Sequence, residues 1–509
     1  MKKNSCIFVG IQQIFEPDKR LKQMSKELMN LEPQTLWKYF EAICGIPHPS
    51  KKEQAMIEYV KGVGETLGLE TKVDHAGNVL IRKPATPGME GRKTVVLQGH
   101  LDMVPQKNND TVHDFEKDPI KAYIDGDWVK ADGTTLGADN GIGVAAALAV
   151  LEARDIEHGP LECLFTIDEE TGMTGAFELK PGFLEGDILI NMDSEDEGEL
   201  YIGCAGGIDT NAFFKYREEL PPDHHVAYKT EVKGLKGGHS GLDINQGRGN
   251  AVKLLNRLLW QANRDLGLRL ASVDGGSLRN AIPREATAIV TIPEGKEEKF
   301  DKMAKAMHAD WVNELGTVDP DLVLKVTETA MPEKVMDPET ARMIFNAVYA
   351  CPNGVIRVVS EMPDVVETST NLAILKSDNG TVEAATLQRS SVDSAKQDLC
   401  NMMRAVFEMS GATVEQTGEY PGWKPDVNSP ILKTMKEVYQ KLHGKTPAQK
   451  VIHAGLECGL LGGTYPGLDM ISFGPTIRNP HSPDEMVNIK TVKMFYDFLI
   501  ETLKNVPEK

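Results

Sequence analysis

Three short apolar runs, each leading into residues that can bind a proton or a metal, constrain this chain more than any other feature. Val95–Leu97 leads into Gly99-His100-Leu101-Asp102, Leu161–Ile167 into Asp168-Glu169-Glu170, and Ile188–Asn191 into Met192-Asp193-Ser194. Runs of this length, set between amphipathic stretches, predict buried strands of an α/β sheet with covering helices. Leu36–Cys44, Glu53–Leu67 and the Ala-rich Gly143–Ala153 read as helices, and Gly77–Ile81 as a further strand. In open α/β sheets, functional groups gather beyond the carboxyl ends of the strands. His481 follows another apolar run, Met470–Phe473, within Arg478-Asn479-Pro480-His481-Ser482. Asp139, in Gly137-Ala138-Asp139-Asn140-Gly141, immediately precedes the Ala-rich helix.

A chain of 509 residues exceeds one compact core, so two or more domains are expected. The pattern changes near Gly206–Gly207, and two similar halves follow, to about Gly411. The first has a strand near Tyr228–Val232, a helix with Leu254, Leu255, Leu258 and Leu259 inward, a strand at Ala286–Ile292, and a helix through Phe300 and Met307. The second has a helix at Pro338–Tyr349, a hairpin turning on Asp378-Asn379-Gly380, and a helix carrying Leu399, Met403 and Phe407. The predicted fold is α/β: a mixed-sheet catalytic domain over 33–206 and 412–509, interrupted by an α+β lid over 207–411. The lid consists of two similar β-α-β-β-α halves in tandem, and residues 1–32 form a poorly ordered extension. Beyond Tyr420-Pro421-Gly422, the helices Pro430–His443 and Ile489–Leu503 return to the first domain.

Composition excludes several classes of function. A formal net charge of −19 argues against binding nucleic acid or an anionic membrane, both of which need basic patches. The longest apolar stretch, Val144–Leu151, is too short to span a bilayer. An N-terminal apolar run, Cys6–Ile11, stops at Gln12-Gln13 with no cleavage pattern after it, and Met24 is an alternative start. The seven cysteines are scattered and lack any C-x-x-C pair, which fits reduced thiols in a cytoplasmic protein.

Two imidazoles and three carboxylates at strand ends suit a pair of divalent cations with one carboxylate shared. The doublet Glu169-Glu170 offers one ligand and one general base. Taken singly, each residue has a plainer reading. Asp139 could be a helix cap, Glu170 a solvated loop residue and His100 a core histidine. Their common placement favours the metal.

Gly99-His100-Leu101-Asp102-Met103-Val104, Gly137-Ala138-Asp139-Asn140-Gly141-Ile142-Gly143 and Asp168-Glu169-Glu170-Thr171-Gly172 resemble the motifs of the dinuclear-zinc exopeptidases. Carnosinases, aminoacylases, bacterial tripeptidases and glutamate-releasing carboxypeptidases belong to that family. The likeness runs from about Pro33 to the C-terminus, through Ile190-Asn191-Met192-Asp193-Ser194, Gly237-Gly238-His239-Ser240-Gly241 and His453-Ala454-Gly455-Leu456-Glu457, and is greatest to the family's dipeptidases.

The resemblance implies that His100, Asp139 and Asp193 hold one ion, and Asp139, Glu170 and His481 the other. It implies a cis bond between Asp139 and Asn140. Asp102 would orient His100, and Glu169 would carry a proton from water to the leaving amine. His239 would stabilise the oxyanion. Asn280 and Arg389 would hold the substrate carboxylate, and Glu457, with Gly455 allowing close backbone approach, the substrate ammonium. Two zinc ions per chain are expected, with cobalt or manganese also compatible. The implied activity is hydrolysis of dipeptides with a free N-terminus, Xaa-His included, so the expected partners are small peptides. Rival readings are a tripeptide aminopeptidase, an N-acyl-amino-acid deacylase and a non-catalytic, metal-stabilised binding protein. A doubled lid leaves monomer and homodimer both open.

Overall fold

Val95–His100 lies between Leu161–Thr166 and Ile188–Asn191 as parallel strands, and Asp469–Ser472 joins in parallel beyond Ile188–Asn191. Every residue of the first three is buried, as strands covered on both faces require. Four further strands extend the sheet to eight, in the order Glu70–Val73, Val79–Lys83, Leu161–Thr166, Val95–His100, Ile188–Asn191, Asp469–Ser472, Glu199–Cys204 and Ala448–Ile452. The computed structural model describes residues 27–509; the Cys6–Ile11 run and the alternative start at Met24 lie outside the described residues.

The chain divides into two units. The first comprises the chain through Gly203, Pro425–Val451 and Leu460–Lys509. Its central helix, Ala138–Glu152, is buried almost throughout, consistent with an Ala-rich sequence that has no polar face. It packs against the strand Val95–His100 and the helix Gln34–Cys44. Gly143 permits close approach of the helix to the chain at Met192: a Cβ there would lie 2.8 Å from the carbonyl oxygen of Met192, which already accepts a hydrogen bond from Asn140 Nδ2 at 2.6 Å. A small four-stranded sheet completes the unit, in the order Ile477–Arg478, Met486–Asn488, Trp128–Ala131 and Ala122–Asp125. His481 lies in the loop between its first two strands.

The second unit comprises Cys204–Lys424 and Ile452–Gly459. It is built on a nine-stranded sheet, eight of whose strands run in the order Val323–Glu328, His225–Lys233, Ala286–Pro293, Arg269–Gly275, Met362–Asp378, Thr381–Ser390, Gly206–Lys215 and Thr413–Tyr420. The halves are similar, but each has a fourth strand and they are nested rather than in tandem. The first runs from His225 to Glu328. The second is completed by Gly206–Lys215, which precedes the whole of the first half and pairs with both Thr381–Ser390 and Thr413–Tyr420. The halves meet where Asp274 and Gly275 pair with Lys376 and Leu375. Four helices, Ala251–Leu266, Glu297–Leu315, Pro338–Ala350 and Asp393–Met409, contribute Leu258, Trp311, Phe345 and Phe407 to one buried core. The turn between Met362–Asp378 and Thr381–Ser390 has positive φ at both Asn379 and Gly380, the backbone such tight hairpins need.

The unit borders differ from those drawn at 206/207 and 411/412. Thr413–Tyr420 is a polar edge strand, mostly exposed or half-buried, so its pairing with Gly206–Lys215 leaves no apolar signature.

Gly143→Ala is expected to destabilise the first unit by ~1–3 kcal/mol through overpacking against Met192. A lowered urea midpoint checks this, and an unchanged one would contradict the packing described.

Candidate metal centre

The sheet places the acidic and imidazole residues together. His100 ends its strand, Asp102 lies two residues on, and Asp193 two residues past Ile188–Asn191. Glu169 and Glu170 open a one-turn helix, Glu169–Gly172, and Asp139 sits at a non-helical kink where the Ala-rich helix begins. The Asp139–Asn140 peptide is cis.

Asp139 presents each carboxylate oxygen to a different imidazole. Oδ1 lies 3.1 Å from His100 Nε2, and Oδ2 lies 3.2 Å from His481 Nε2. His100 Nε2 is also 3.2 Å from Asp193 Oδ1, and His481 Nε2 is 3.0 Å from Glu170 Oε2. Two groups able to hold a metal ion result, His100–Asp139–Asp193 and Asp139–Glu170–His481, with the donor atoms of each within 4.8 Å of one another. Glu169 belongs to a third such group with His100 and Glu170. The second oxygen of Glu170 is buried with no hydrogen-bond partner, as suits a donor that faces a metal. The donor set and this orphaned atom fit a pair of divalent ions.

Asp102 braces two parts of the centre. Its Oδ1 lies 3.4 Å from His100 Nδ1 and accepts the Glu169 N–H at 2.9 Å. Its Oδ2 accepts the Glu170 N–H at 3.2 Å and the Ser50 hydroxyl at 2.8 Å. Burial opposes a charge on Asp102, yet His100, the Glu169 N–H and Ser50 outweigh it and hold the carboxyl at about 2. Hydrogen bonds to Asp139 and Glu170 push His481 up to about 11. Burial disfavours a charge on His100, but Asp193, Asp102 and Asp139 raise it well above its ordinary range. The two imidazoles hold Asp139 low against its burial, whereas burial and the Asp139 charge push Asp193 and Glu170 up.

The remaining predicted residues, His239, Asn280, Arg389, Gly455 and Glu457, lie in the second unit. His239 Nδ1 accepts the N–H groups of Gly241 and Leu242 at 3.1 and 3.0 Å, so its proton resides on Nε2. Burial and the Arg389 charge lower the pKa of this imidazole. Asn280 is exposed beside it: its carbonyl accepts the Ser240 N–H at 2.8 Å, and Ala281 pairs with His239. Arg389 is buried, with Nη1 donating to the Tyr420 hydroxyl at 2.9 Å and Nε unpartnered. Glu457 is fully buried at the first turn of the helix Glu457–Thr464, and Gly455 lies half-buried just ahead of it.

Three neighbours of these groups were given no role by the sequence reading. Ser50 supports Asp102 from a loop with no distinguishing pattern. His453 is buried, 2.7 Å from Ser369 Oγ, and is driven down to about 3 by burial and by Arg389 and His239. Glu485 is buried beside the Asp139 loop, where burial pushes it up to about 7 against the pull of backbone N–H groups. Its one sequence signal is a carboxylate four residues after His481.

Among the described residues, no helix is long and apolar enough to cross a membrane. The sequence profile of peptidase family M20/M25/M40 matches residues 96–505. The chain is 50% identical over 483 residues to the cytosol non-specific dipeptidase of Escherichia coli (strain K12), covering 95% of this chain and all of that protein. It superposes on aminoacylhistidine dipeptidase from Vibrio alginolyticus with a TM-score of 0.92 at 49% identity, over 95% of this chain and 99% of the other. The aminopeptidase PepT from Bacillus cereus ATCC 10987 shares the fold at 15% identity, with a TM-score of 0.56 over 94% and 99% of the two chains. By sequence and by fold, then, this chain belongs to peptidase family M20/M25/M40 and is a peptide hydrolase.

Proposed function

We propose that this chain is a metal-dependent dipeptidase of the cytoplasm that hydrolyses dipeptides with a free N-terminus, Xaa-His among them. The observation that carries this reading is Asp139, whose two oxygens face His100 and His481, with Glu169 anchored alongside. Likeness at about half identity to two dipeptidases, over nearly the whole chain, supports the substrate class.

His100, Asp139 and Asp193 would hold one ion, and Asp139, Glu170 and His481 the other. Mixed nitrogen and oxygen donors suit zinc, and also accept cobalt or manganese. Such a pair, when bound, polarises the scissile carbonyl and makes water acidic enough to attack near neutral pH. Asp102 orients the His100 ring and, through the Glu169 N–H, fixes the start of the turn that carries the general base. Glu169 accepts the proton of the attacking water and delivers it to the amide nitrogen as the C–N bond breaks. His239 offers its Nε2–H to the developing oxyanion. Arg389 and Asn280 receive the substrate carboxylate, and Glu457, with Gly455 beside it, the ammonium. Recognition of both ends restricts the substrate to two residues. A deacylase has no need of the ammonium contact, and a tripeptidase needs a longer span.

Purified protein is expected to hydrolyse alanyl-histidine, to lose activity on chelation and to regain it with zinc. Acetyl-alanyl-histidine and tripeptides should be far poorer substrates. Absence of hydrolysis in every metal-loaded state would reject the dipeptidase reading.

Glu169→Ala is expected to lower kcat by about 10²–10⁴-fold, the range for a lost proton-transfer group, with metal content retained. Asp139→Ala should lose metal and activity together. Elemental analysis beside the kinetics separates the two roles.

His481, raised to about 11, is protonated near pH 7.5 in the ion-free protein, and only the neutral ring can ligate a metal. Zinc binding is therefore expected to release protons, seen as a calorimetric heat that scales with buffer ionisation enthalpy. No such dependence would contradict the charge state assigned to His481.

A further inference from the structure

We infer that Glu485 is a positioning residue for the metal centre, holding the Asp139 loop in its ligating conformation before any ion arrives. The inference rests on the proposed reading in one respect, that Asp139 is the shared ligand. Glu485 is 2% exposed. Its Oε2 accepts the N–H groups of Leu136 at 2.7 Å and Gly137 at 3.0 Å. Its Oε1 accepts those of Ala138 at 2.8 Å and Asp139 at 3.3 Å. Four consecutive N–H groups thus converge on one carboxylate and occupy all its acceptor positions.

Consecutive N–H groups converge on one point where the backbone departs into a left-handed residue or opens a helix, forming a concavity that binds an anion. Gly137 supplies that departure with φ 72° and ψ 28°, a left-handed conformation costly for other residues. In most proteins such a concavity receives a ligand, whereas here a side chain of the same chain fills it. Without that acceptor, the buried N–H groups of the loop would lose their partner, and nothing would fix the direction in which Asp139 projects. Glu485 also lies on the segment between Ile477–Arg478 and Met486–Asn488 that carries His481. One side chain therefore joins the backbone of the shared carboxylate to the loop of one imidazole. Among the described residues its hydrogen bonds are to backbone N–H groups, so its role is positioning rather than catalysis.

Glu485→Gln preserves shape but turns one oxygen into a donor facing two N–H groups. The variant is expected to fold, by circular dichroism and cooperative thermal unfolding, and to bind zinc about 10–100-fold more weakly in chelator competition, as loss of an outer support does. A folded variant with wild-type zinc affinity would overturn the inference. A second test uses the wild-type chain stripped of metal, which keeps it decisive should the variant not fold. Hydrogen exchange of the amides of residues 136–139 should be slow, because Glu485 holds them without ions. Exchange at the rate of an open loop would equally overturn it. Neither measurement involves a peptide, so failure to hydrolyse dipeptides would reject the proposed activity and leave this inference standing or falling by itself.

Discussion

A carboxylate facing an imidazole on each side is the arrangement around which the first unit is organised. Asp139 cannot meet both His100 and His481 unless a strand end, a helix start and a distant loop are fixed to within a few tenths of an ångström. The parallel strands supply one fixed edge, and the buried helix that follows Asp139 supplies the second. The small sheet anchoring Met486–Asn488 to Trp128–Ala131 supplies the third. Ionisable groups packed this tightly repel or neutralise one another unless charges alternate, as they do here between imidazole and carboxylate.

Asp102 and Glu485 do a related job. Each carboxylate accepts backbone N–H groups, Asp102 those of Glu169 and Glu170, Glu485 those of residues 136–139. Charge-assisted hydrogen bonds to main chain fix loops that no strand or helix ladder can fix. The loops at the strand ends thus owe their shape to acidic side chains, which is one reason so many carboxylates gather at one place.

Much of this was readable from the residues. Buried parallel strands are continuous apolar runs, so Val95–Leu97, Leu161–Ile167 and Ile188–Asn191 announced both the sheet and the positions just beyond it. The meeting of Asp139 with His481, 342 positions apart, was reached through family motifs and not through any local pattern. Glu485 was not reached at all, because a buried polar residue that binds main chain carries no periodicity, and His453 appeared within a family motif without a role. Strand Thr413–Tyr420 was missed for the opposite reason: an exposed edge strand needs no apolar face. The tandem reading of the halves failed because the strand completing the second half, Gly206–Lys215, comes before the first half in the chain.

That nesting dictates an order of assembly during synthesis. The strand Gly206–Lys215 leaves the ribosome early, yet its partners Thr381–Ser390 and Thr413–Tyr420 are not made until the whole intervening half has followed. The inner half closes with contacts local in sequence, so it can settle while the outer strand still waits. Once folded, the inner half draws the distant segments together and shortens the loop that pairing must close. A buried strand with Phe214 in the core thus depends, until then, on being shielded from wrong partners.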